Sequence, residues 1–152
     1  MTNTFFKIKQ KLLEACFHFV ENKHKTISNS IASNKNDLFS ETKSSAGDKH
    51  ETGRAMIQLE MEKAGQQLAI VNQMKEVLVK ISIENTSTVI CLGSLIKTNK
   101  ATYYLAISAG KISVKGKDYY VVSTNSPIGK QLLGKKVGDT ILFNNAELLE
   151  VY

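Results

Sequence analysis

The chain has 152 residues, enough for one ordinary domain or two small ones. Its 42% apolar content supports a folded core, while 7% aromatics and the absence of Trp keep that core modest. The net charge of +6 comes almost entirely from Lys, and no apolar run approaches the roughly 18 residues that a membrane span requires.

The N-terminal stretch MTNTFFKIKQKLLEACFHFVENK is interrupted by charge every few residues, so it lacks the continuous apolar centre of a secretion signal. A cytoplasmic location is expected. Cys16 and Cys91 fall in different predicted elements without CxxC spacing and are expected as reduced, buried thiols. From residue 5 to 38, Phe5, Ile8, Leu12, Cys16, Phe19, Val20, Ile27, Ile31 and Leu38 recur in steps dominated by three and four, one stripe along a helix. The run SNSIASNKND, residues 28–37, is rich in Ser and Asn, which compete with the helical backbone. The first helix is therefore expected to fray or stop there.

A small polar run, TKSSAGDKHETGRAM (residues 42–56), leads into a second stripe of Met56, Leu59, Leu68, Val71, Met74, Leu78 and Ile81. Neither helix buries its stripe alone, so the two are expected to pack antiparallel as a coiled-coil-like hairpin over residues 1–82, with its tip near 39–52. Within the tip, Asp48 and Glu51 stand three positions apart. Asp48 as N-cap with Glu51 at the third helical position is close to a capping box. The same pair, on one side of a first helical turn, also suits a metal ion.

Near residue 82 the period changes. The runs TVICLGSLIKT, TYYLAIS, KISVKG and DYYVVST are rich in β-branched and aromatic residues and read as strands. Ser126 is a good N-cap, Pro127 suits the first helical position and Gly134 suits the stop of a short helix. TILF and AELLEVY read as two further strands. The fold class is α+β: a helical hairpin, then a small, mostly antiparallel sheet with one short helix over residues 83–152. Residues 1–40 hold six Lys against three acids and residues 95–140 eight Lys against two, an excess that favours an anionic partner. Lys in place of Arg argues against reading base edges.

Two places resemble the Gre transcript-cleavage factors of bacteria, GreA and GreB. AGDKHETGRAM is similar to that family's coiled-coil tip, where a Gly-Asp-x-x-Glu run opens the second helix. STNSPIGKQLLGKKVGDTILF follows the family's C-terminal segment, with the Ser-Pro, Leu-Gly-Lys and Val-Gly-Asp in order, and LGSLIKT resembles the strand that begins its second domain. The resemblance implies an antiparallel coiled coil followed by a domain of FK506-binding-protein type. It implies a monomer that binds RNA polymerase at its secondary channel, with no membrane partner and with indirect contact to the 3′ end of the nascent RNA. On that likeness Asp48 and Glu51 are the catalytic and metal pair, sharing a Mg²⁺ with the polymerase and stimulating its own cleavage of backtracked RNA. The chain itself is then no enzyme. Asn125, Ser126 and Pro127 match the segment that touches the polymerase rim.

At the tip, Thr52, Gly53 and Arg54 replace the family's usual residues after the Glu, and His50 precedes it. That keeps a second reading open, a non-cleaving or inhibitory regulator with the same dock. A prolyl isomerase is the alternative from another class, requiring Tyr103, Tyr104, Tyr119, Tyr120 or Phe143 to line an apolar pocket; a plain coiled-coil adaptor is a third. Lys130, Lys135 and Lys136 form either a solvated face or a docking patch. Lys7, Lys9, Lys11, Lys23 and Lys25 are candidates for a basic strip that guides RNA. His18 and His24 lack metal-ligand spacing with any Cys, and no phosphate loop or Ser nucleophile motif is present.

Overall fold

The computed structural model describes the backbone of residues 2–43 and 47–152, and the side chains of residues 4–40 and 53–152. Two helices come first, α1 (Thr2–Lys43) and α2 (Gly47–Val79). Six strands follow: β1 (Leu95–Thr98), β2 (Thr102–Ala106), β3 (Gly110–Val114), β4 (Lys117–Ser123), β5 (Thr140–Ile141) and β6 (Ala146–Val151). A short helix, α3 (Pro127–Leu132), lies between β4 and β5. The α+β class read from the sequence holds. The chain divides into two compact units, Val20–Lys75 and a body made of Met1–Phe19 with Glu76–Tyr152.

The first unit is the helical pair. Val20 and Ile27 of α1 and Ala64 and Val71 of α2 are buried, with Ile57, Met61 and Leu68 partly covered on the same α2 stripe. Steps of four and three through residues 57, 61, 64, 68 and 71 are the spacing of a coiled-coil seam. Met56 and Leu59, placed on that stripe by the sequence reading, are 63% and 54% exposed. The small Ala64 marks the seam, and counting back from it passes through Met61 and Ile57 instead.

A second correction concerns residues 28–37. The helix α1 runs through them without a break to Lys43. Its hydroxyls bond along the helix: Thr26 Oγ1 donates to the Asn22 carbonyl at 2.9 Å, and Ser28 Oγ lies 3.4 Å from His24 Nδ1. Those i−4 contacts occupy the Thr26 and Ser28 hydroxyls, and Ile27, Ile31 and Leu38 keep the apolar stripe going.

In the body the strands are ordered β3-β4-β2-β1-β6-β5. Only β2 and β4 pair parallel; every other pairing is antiparallel. The β3–β4 hairpin closes through Lys115 and Gly116, both with positive φ (52° and 78°), the backbone of a tight two-residue turn. Side chains alternate across a strand. Ile96, Tyr103 and Leu105 join Ile128 and Leu132 of α3, with Ile141 and Leu148, in one core. Leu95, Tyr104 and Ala106 have the opposite parity and are also buried. Leu12 and Cys16 of α1 are fully buried, and Cys16 lies near enough to influence the Tyr104 phenol. With both faces covered, β2 reads as the continuous apolar run YYLA.

Two expected strands are shorter than their apolar runs. TVICLGSLIKT becomes a strand only at Leu95, because the chain turns first: Ser94 N–H donates to the Cys91 carbonyl at 3.0 Å, and Gly93 takes a φ of +90°. TILF is a strand only over Thr140–Ile141. Both cysteines are free, but Cys91 is exposed and only Cys16 is buried, contrary to the expectation for the pair.

Candidate partner-binding surface

The best-described candidate surface surrounds α3. Ser126 is its N-cap with extended backbone; Ser126 Oγ accepts from Gly129 N–H at 3.0 Å and donates to the Ser123 carbonyl at 2.7 Å. Ser126 N–H also meets Ser123 Oγ at 3.1 Å. Pro127 fills the first helical position, where a missing N–H costs nothing. Gly134 follows the helix with a φ of +83°, the left-handed stop its sequence position requires. These contacts present Asn125 and Pro127 to solvent while Ser126 is half-buried by its capping bonds.

Gly129 sets how closely α3 approaches β4. A Cβ there would fall 1.8 Å from the Ser123 carbonyl oxygen and 2.9 Å from Ser126 Oγ. Only glycine fits. The sequence signal was present in SPIG, but the close approach of helix to strand end is visible only in three dimensions.

Beside α3 the surface is apolar and basic together. Leu142 is 85% exposed and Phe143 61%, with Leu133 and Val137 also exposed. Phe143 N–H donates to Gln131 Oε1 at 2.7 Å, fixing the β5–β6 loop to α3. A shallow cleft of about 260 Å³ is lined by Lys130, Leu133, Lys135, Ile141 and Leu142. The sequence names the lysines but not the apolar half, since TILF reads as a strand to its end whereas β5 stops at Ile141.

The remaining candidates divide clearly. Asp48, His50 and Glu51 stand on the first turn of α2 by backbone, and their side chains lie outside the described residues. Among the described residues no group of three or more His, Cys, Asp or Glu could hold a metal ion. The basic strip on α1 is interrupted, for Lys9 is buried while Lys7, Lys11, Lys23 and Lys25 are exposed. Tyr103, Tyr104 and Tyr119 are core residues, and Tyr120 and Phe143 are exposed.

Residues 88–148 match the family described as transcription elongation factor GreA/GreB, C-terminal domain. Over those residues the chain is GreA/GreB-like. The match takes in α3, its Ser126 cap, Gly129 and the exposed apolar loop, and lies within the body. No curated protein gives a significant match to the chain. No described helix is long and apolar enough to cross a membrane.

Proposed function

We propose that this GreA/GreB-like chain is a cytoplasmic, monomeric transcription elongation factor that binds RNA polymerase at its secondary channel and stimulates cleavage of backtracked RNA. One observation carries the reading: the matched body holds a rigidly capped helix beside solvent-exposed Leu142 and Phe143 with Lys130 and Lys135 at their margin. Exposed large apolar side chains rimmed by cations are the composition of a docking surface for an acidic or mixed partner face. We assign Asn125, Ser126 and Pro127, at the start of the same short helix, to the same contact.

Asp48 and Glu51 are proposed as the pair that acts at the polymerase's active centre. The helix starts at Gly47, so positions 48 and 51 share one side of its first turn. Two hard carboxylate donors suit Mg²⁺, which keeps several waters and needs only one or two protein carboxylates when another macromolecule completes the site. Bound there, the ion would supply Lewis-acid stabilisation and an activated water for phosphodiester hydrolysis. The chain's own part is to bring negative charge to that site. Alone it has too few ligands for a nuclease, so the activity belongs to the polymerase. The RNA 3′ end is met only through that complex.

A non-cleaving regulator using the same dock is favoured by one feature, the Thr52-Gly53-Arg54 run, in which a cation follows the acids. A transcript-length assay on a backtracked elongation complex separates the two. Shortened RNA with the native chain, lost in Asp48→Asn/Glu51→Gln while polymerase binding persists, is the expected result. Unchanged RNA length despite binding would leave only the regulator.

A further inference from the structure

At the foot of α1 a second cleft, of about 310 Å³, opens within the sheet-bearing body. Phe5, Phe6, Ile83 and Tyr152 form most of its lining, and Lys9 and Glu84 are its charged members. The Phe5 and Tyr152 rings are stacked, centroids 3.6 Å apart and planes within 14°, which builds a flat aromatic wall. Lys9 is 3% exposed. Its ammonium makes one long hydrogen bond, 3.4 Å to the Asn85 carbonyl, and no described carboxylate lies within ion-pair distance of it. Burial lowers the Lys9 pKa from its usual value, the response of a cation stripped of water, and the nearby Cys91 offsets only part of that shift.

A buried ammonium with three donors and one weak acceptor is an unfinished site. We propose that this cleft binds a small monoanionic carboxylate with a flat apolar body, its charge received by Lys9 and its body lying against Phe5, Phe6, Ile83 and Tyr152. The volume is at the low end for ligand pockets and fits one ring with a short chain. Glu84 on the lining repels a dianion more strongly than a monoanion, so the proposed ligand carries a single charge, held at the Lys9 end of the cleft. Nothing in the polymerase-binding surface around α3 takes part.

The test uses the full chain and two probes, 3-phenylpropionate and its uncharged analogue 3-phenylpropanol, titrated by NMR. The acid should bind saturably, at least about tenfold tighter than the alcohol, the scale of a charge-assisted hydrogen bond. It should also raise the Lys9 pKa. Lys9→Met, which keeps the aliphatic stem, should abolish the preference for the acid without lowering the melting temperature. Equal affinity for acid and alcohol on the native chain, or no binding of the acid, would overturn the proposal without recourse to any variant. Retention of the preference by Lys9→Met would do the same. So would capture of a Glu-bearing apolar peptide with neither small molecule bound, which assigns the cleft to a protein partner.

Discussion

Replacing Gly129 by Ala adds one methyl group where the chain has no room for it. The new Cβ would lie 1.8 Å from the Ser123 carbonyl oxygen and 2.8 Å from its carbon. Ordinary contact therefore demands that α3 and the end of β4 separate by more than an ångström. That movement breaks the Ser126 cap, whose bonds to Ser123 and Gly129 are 2.7 and 3.0 Å long, and withdraws Ile128 and Leu132 from the core. Overpacking costs about 1–3 kcal/mol and the lost cap about 1 kcal/mol. The restricted unfolded chain returns about 0.4–1 kcal/mol, leaving a net loss of about 1–3.5 kcal/mol. All five Tyr lie in the sheet body and Trp is absent, so Tyr fluorescence during urea unfolding reports that body alone. Far-UV circular dichroism, dominated by α1 and α2, should change much less. A loss below about 0.5 kcal/mol would refute the claim that helix–strand contact dictates glycine here.

Tyr104 is fully buried and its hydroxyl has no partner; Tyr104→Phe removes an unsatisfied group and should leave stability unchanged or raise it by about 1 kcal/mol in the same urea assay. Alkaline pH should weaken the body through Cys16. Burial raises its thiol from an ordinary value of 9.0 to about 12, so the folded chain holds a proton that the unfolded chain releases. That stability is complete below about pH 9 and is lost as pH rises towards about 12. Between about pH 8 and about pH 10 the native chain should therefore lose about 1.4 kcal/mol more than Cys16→Ala, measured by urea unfolding; equal losses would show that the thiol is not desolvated. Tyr103, Tyr104 and Tyr119 are also raised by burial and act in the same direction.

Much of this was legible in the sequence, for reasons that can be stated residue by residue. The α1 stripe from Phe5 to Leu38 was read correctly because its side chains are large and evenly spaced. The α2 stripe was misphased at its start because Ala64 carries the seam with too little apolar bulk to stand out beside Met56 and Leu59. Ser and Asn in residues 28–37 suggest a break, yet Ile27, Ile31 and Leu38 carry the apolar stripe through the run, and packing of that stripe outweighs local preference. Ser126, Pro127 and Gly134 announced α3 because caps and stops are local chemistry. The burial of Leu12, Cys16 and Lys9 against the sheet body was not legible, since it depends on contacts across more than seventy residues, such as Lys9 with Asn85. Nor was the exposed face: TILF has the composition of a strand, and only the early end of β5 at Ile141 turns Leu142 and Phe143 outward.

Equilibrium binding of the intact chain to core RNA polymerase bears most directly on the proposed role. Saturable, micromolar or tighter binding is expected, weakened at least about tenfold by Leu142→Ser/Phe143→Ser, as for buried apolar anchors, with the melting temperature of the body unchanged. Absence of binding by the native chain, or equal binding by the double variant, would contradict a polymerase dock built around α3.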